Sequence, residues 1–187
     1  MYILALDIST SIIGYSIFSI KEEELIELNF IDLRKVVDDG ENSQLFKKAD
    51  YVIDIISNKI FNKYKIEEVI IETPLKVVFG TTIETSIILN KINSMIAYTI
   101  HRLGYHVKYI PSETARKRFL KDEYKLFKSI PTSIDVDAKK EFLVDKCFNL
   151  INDKFELKRR PKRTDKYLAE CYDVVDSYIL GKAYFYK

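Results

Sequence analysis

The residues of this sequence with the clearest chemical potential are acids that close apolar runs. Tyr2 to Leu6 is a β-branched and apolar stretch stopped by Asp7, and Val69-Ile70-Ile71 is stopped by Glu72. Each reads as a short buried strand with a carboxylate at its carboxyl end. Near the other end of the chain, Leu168, Cys171, Val174, Val175, Tyr178 and Ile179 fall on one side of a helical wheel. Glu170, Asp173 and Asp176 fall on the other. Strands often end in polar residues, and any solvated helix carries acids opposite its apolar stripe. Brought together, however, these carboxylates would repel one another unless cations intervened. An all-oxygen ligand set without His or Cys suits Mg²⁺, with Mn²⁺ as substitute. Two such ions about 4 Å apart form a clamp for in-line displacement at phosphorus.

The elements that must position these acids follow from periodicity. Strands are expected at 2–6, 14–20, 25–33, 69–71 and 107–110, the first three as an antiparallel meander. Apolar residues at helical spacing predict a helix over 44–64, and a long one over 82–103 with Gly104 as its C′ residue. Shorter helices are expected from Ser112 through Phe119 and from Asp135 or Asp137 through Ile151, with a last one over 167–184. The order βββ-α-β-α-β-α-α-α predicts a single α/β domain over 1–187, with a mixed five-stranded sheet covered on both faces.

Composition narrows the function classes. With 187 residues, 47% of them apolar, the chain can bury a core. The start lacks the basic and apolar regions of a signal peptide, and no window approaches a membrane span. Residence in the cytoplasm, that of the host if the source is viral, is the expectation. Cys147 and Cys171 form no CxxC, and His101 and His106 are the only histidines, so zinc and a Ser-His-Asp triad are disfavoured. A net charge of +2 decides little, but Lys158, Arg159, Arg160, Lys162 and Arg163 crowd one stretch. That run is either a solvated loop or a phosphate-contacting one.

Four segments in register resemble the RNase H-like superfamily, in particular Holliday junction resolvases of the RuvC type. Ile-Leu-Ala-Leu-Asp-Ile-Ser-Thr-Ser-Ile-Ile-Gly-Tyr looks like their first hairpin, and Val-Ile-Ile-Glu-Thr-Pro at 69–74 like their second acidic strand. Tyr109-Ile-Pro-Ser-Glu-Thr-Ala-Arg-Lys resembles their strand-to-helix segment, and Glu-Cys-Tyr-Asp-Val-Val-Asp-Ser at 170–177 their closing acidic helix. The closing pattern is more similar to phage and poxvirus resolvases, and the Lys-, Ile- and Asn-rich composition suits an AT-rich genome.

The resemblance implies that Asp7, Glu72, Asp173 and Asp176 hold the metal ions, two per site in the family's manner, with Lys139 as a catalytic lysine. Ala115 stands where a second family lysine is expected, so Arg116 or Lys117 would replace it. Phe79 is a candidate wedge into the junction, with a core role equally open. The resemblance also implies a homodimer using the 82–103 helix, and paired nicks across branched DNA leaving 5′-phosphate and 3′-hydroxyl ends. The competing expectations are an RNA-processing nuclease of the YqgF or RNase H type, acting on RNA or RNA–DNA hybrid, and a non-catalytic nucleic-acid-binding module.

Overall fold

In a computed structural model, described for residues 1–36, 44–74, 83–131, 137–161 and 163–186, the chain begins with three strands that run back and forth. These are β1 (Tyr2–Ile8), β2 (Ile12–Ser19) and β3 (Leu25–Asp32), paired antiparallel. β4 (Ile66–Glu72) then adds parallel to β1, and β5 (His106–Ile110) parallel to β4. The sheet order is β3-β2-β1-β4-β5, the expected mixed five-stranded sheet. Parallel neighbours need long crossovers. α1 (Gln44–Ile55) lies in the connection from β3 to β4, and α2 (Ile83–Arg102) in that from β4 to β5.

The remaining helices are α3 (Ser112–Leu120), α4 (Tyr124–Ser129), α5 (Ala138–Ile151) and α6 (Ala169–Phe185). Two apolar layers sandwich the sheet. Leu4, Leu6, Ile13, Ile17, Val69 and Ile71 pack with α1 and α2 on one face. Ile3, Ala5, Phe18 and Ile70 pack with α3 to α6 on the other. Cys147 and Cys171 are buried free thiols in this second layer, as their apolar positions predict.

Several segments depart from the sequence expectation. The helix predicted over 44–64 is α-helical only to Ile55 and continues as a π-helical turn, Ile56–Phe61. β4 starts at Ile66, earlier than its apolar run, because Glu67 and Glu68 sit on strand backbone at the sheet's rim. α4 forms in a region assigned no element, seating Phe127 in the core. The basic stretch is not a plain loop: β6 (Arg159–Arg160) pairs antiparallel with β7 (Arg163–Tyr167), so Tyr167 belongs to a hairpin and not to the last helix. Gly104, at φ +92°, ends α2 as predicted, its N–H bonded to His101 O and the next N–H to Ile100 O. No helix among the described residues is long and apolar enough to cross a membrane.

Candidate active site and metal centre

Side chains alternate across a strand, so parity decides which face a residue serves. Asp7 shares the parity of Ile3 and Ala5, and Glu72 that of Ile70, so both point to the layer that holds α6. The parallel pairing Leu6↔Ile71 sets the two carboxylates side by side, one step beyond it, at the carboxyl edge of the sheet.

The acids of α6 reach the same edge because its backbone lies directly on β2. Gly14 stands opposite Asp7 in the β1–β2 ladder. A Cβ there would meet Asp173 O at 2.0 Å and Val174 N at 2.7 Å, so only hydrogen fits. Gly181 makes the same allowance for the Phe18 ring, which a Cβ would meet at 2.3 Å. Between them the Ser16 hydroxyl donates to Ser177 O at 2.8 Å, and the Ser177 hydroxyl to Val174 O at 2.7 Å. α6 is buried on most of its circumference. Asp173 and Asp176, opposite the apolar stripe of the wheel, are partly buried rather than solvated, and both are felt by Asp7 at the sheet edge.

The electrostatics follow from this crowding. Asp7 is held well above the usual carboxylate range by burial, then by repulsion from Glu72, Asp176 and Asp173; Arg116 works against the rise. Burial and then Asp176 push Glu72 up to about 7, against Arg116 and a hydrogen bond with Ser112. Burial, then Asp176, push Asp173 up to about 7, with Lys140 and Arg34 opposing. Four carboxylates thus sense one another through low-dielectric surroundings. The cation among them is Arg116, which donates from a guanidinium nitrogen to Asp176 Oδ1 at 3.1 Å. Its Nε is buried without a partner. Among the described residues no group of three acidic, histidine or cysteine side chains stands ready as it is to hold a metal ion. The donor chemistry nevertheless fits a hard divalent cation: oxygen only, clustered, and short of counter-charge.

The other sequence candidates are dispersed. Lys139, in the first turn of α5, lies with its ammonium 5.6 Å over the Phe127 ring, while its neighbour Lys140 is the lysine that Asp173 feels. Lys117 is exposed on α3, away from the acids. In the basic hairpin, Arg159 stacks 4.1 Å over Tyr167 and pairs with Asp145 at 3.6 Å and Glu141 at 4.0 Å. Arg160 donates to Tyr167 O at 2.9 Å, and Lys158 pairs with Glu156 at 2.9 Å. Arg163 opens β7 opposite Arg160. Phe79 and Lys162 lie outside the described residues. Sequence reasoning missed Gly14, Ser112, Arg34 and Lys140. Only Gly14 had a usable signal, a glycine inside a strand, which marks close backbone approach.

No family model and no curated protein matches this sequence. Solved structures do, and what they share with this chain is the fold. Thermus thermophilus RuvC in complex with a Holliday junction substrate superposes with a TM-score of 0.55 at 10% identity, over 99% of this chain and 94% of that one. The yeast mitochondrial Holliday junction resolvase gives 0.57 at 13%, over 97% and 78%. Fowlpox virus resolvase with its Holliday junction DNA gives 0.53 at 16%, over 98% and 96%. The form of the fold is therefore that of the Holliday junction resolvases.

Proposed function

We propose that this chain, one domain over residues 1–187, is a structure-selective endonuclease that resolves four-way DNA junctions by paired phosphodiester hydrolysis, leaving 5′-phosphate and 3′-hydroxyl ends. The observation that carries the reading is the mutual repulsion of Asp7, Glu72 and the α6 acids around Arg116, at the carboxyl edge of a resolvase-type sheet. Asp7, Glu72, Asp173 and Asp176 would hold Mg²⁺ or Mn²⁺, two ions in the complete site. Such ions, when bound, acidify a water and offset negative charge at the phosphorus and the departing oxygen. Arg116 holds Asp176 through a guanidinium nitrogen, and the same guanidinium would be placed to take a backbone phosphate at this edge. Lys140 and Lys117 would supply further phosphate contacts; Lys158, Arg159 and Arg160 would first have to leave their internal partners. Phosphate contacts carry no base information, so selection rests on branch shape.

Paired nicks need two sites. α2 leaves Ile83, Ile87 and Tyr98 exposed along one side, with Ile83 63% and Tyr98 62% accessible, a face suited to a second copy of the chain. The test is a plasmid extruding a cruciform, incubated with Mg²⁺ or chelator beside plain duplex and RNA–DNA hybrid. Linear product, from two incisions in one encounter, is expected on the cruciform in Mg²⁺ alone. Preference for the hybrid would replace the junction reading with an RNase H-type one, and no cutting of any substrate would end both.

A further inference from the structure

The basic hairpin uses most of its described cations in ion pairs and internal hydrogen bonds, whereas a second set of cations forms no ion pair among the described residues. Thr114, Lys117, Arg118 and Lys121, on the side of α3 turned away from Arg116, line an open groove of about 680 Å³ with Phe185 and Tyr186. Among the described residues neither Lys117 nor Lys121 forms an ion pair. Of the carboxylates near them, Glu113 accepts from Tyr124 at 2.9 Å and Lys128 at 3.3 Å, and Glu123 pairs with Lys146. Arg118 donates to Ala183 O at 3.1 Å, which fixes α3 against the end of α6 and so fixes the groove's width.

A separate observation concerns the backbone. Lys121 ends α3 at φ 50°, ψ −117°, a conformation that disfavours any residue with a Cβ. Glycine would sit there with less strain, yet the position carries a cation whose ammonium lies 4.9 Å over the Tyr186 ring. Strain retained at an exposed lysine, beside an uncommitted lysine and an open groove, marks a binding surface.

We infer that this groove is a second phosphate-backbone site for DNA, distinct from the acidic cluster and reading an arm of the substrate away from the cut. The inference rests on the nuclease reading for its choice of DNA. Phe185 lies nine residues beyond Asp176 on α6, about 14 Å at 1.5 Å per residue. That is about four base-pair steps along a duplex axis at about 3.4 Å each.

The experiment measures binding of a fluorescent 20-base-pair duplex and of a four-way junction by anisotropy in chelator, across a salt series. Variants are Lys117→Ala/Lys121→Ala and Lys121→Gly, each with its Tm. Each lost phosphate contact should flatten the slope of log K against log salt by about 0.9, so the double variant should lose about 1.8. Between 50 and 200 mM salt its affinity should then fall about tenfold less than that of the wild type. Lys121→Gly should lose about 0.9 of slope with no fall in Tm, a combination that lost folding cannot produce. Unchanged slopes in both variants overturn the groove even if the junction is still cut. Flattened slopes in a protein whose Asp7→Asn form cuts at the wild-type rate keep the groove and overturn the metal site. A wild-type chain that binds neither DNA removes both.

Discussion

Replacing Gly14 by alanine probes the contact on which the whole acidic cluster depends. The added methyl would stand 2.0 Å from Asp173 O and 2.3 Å from Asp173 C, both backbone atoms that no rotamer change can move aside. Comfortable contact begins near 3.5 Å, so α6 must withdraw from β2 by about 1.5 Å. Overpacking of this kind costs about 1–3 kcal/mol, and an unyielding backbone puts it at the upper end. The Ser16 to Ser177 hydrogen bond, 2.8 Å and buried, would be stretched as well, at about 1 kcal/mol. A chain of this size loses about 2–4 °C of Tm per kcal/mol, so the combined cost of about 4 kcal/mol should lower Tm by about 8–16 °C in thermal unfolding followed by circular dichroism. Asp173 would move with the helix, and a misplacement of about 1 Å at a reacting centre can cost about 100-fold in rate. Junction cleavage under single-turnover conditions, at a temperature where the variant is folded, should fall by that factor. A Tm within about 2 °C of the wild type would refute the seating of α6 on β2. A lowered Tm with undiminished cleavage would instead detach Asp173 from the chemistry.

Asp7→Asn should abolish cleavage while junction binding survives, and it should also change stability in a pH-dependent way. The raised folded-state pKa of Asp7 means that the native form keeps a proton the unfolded chain has released. Wild-type stability in chelator therefore declines as pH rises from the ordinary carboxylate value through the raised one, at about 1.4 kcal/mol per unit for this group. The asparagine form escapes that decline, so its Tm advantage should be near zero at low pH and largest at alkaline pH. An advantage that shrinks as pH rises would sink the account of the cluster. Saturating Mg²⁺ should reverse the order by stabilising only the chain that binds it. Finally, Lys140→Ala should slow junction cleavage about tenfold or more, and Lys139→Ala much less, because Lys140 is the lysine whose charge Asp173 feels. Equal losses would return Lys139 to the phosphate.

The sheet was legible because its signals are local. β-branched runs ending at Asp7 and Glu72 mark strands, and Pro111 and Gly104 mark boundaries that the structure keeps. The two strand acids could be read for the same reason, since each is the first charge after an apolar run. What the sequence hid depends on contacts between distant segments. Arg116 reads as a surface cation of a short helix until α3 is docked on α6 and its guanidinium meets Asp176. Lys139 and Lys140 are indistinguishable until the rotation of α5 is known. The charge run at 158–163 reads as either a solvated loop or a phosphate contact. Its partners Glu141, Asp145 and Tyr167 come from α5 and the hairpin itself, and no periodicity announces such pairings.

Asp7 sits in the first strand and Asp173 and Asp176 in the last helix, and that separation has a kinetic meaning. The acidic cluster cannot form piecemeal during folding, since its halves meet only when one of the longest loops in the chain has closed. Closure of such non-local pairings is slow and comes late. A partly folded chain therefore holds two stranded acids on a sheet rim, and the cluster is complete only when the helix has been laid onto Gly14.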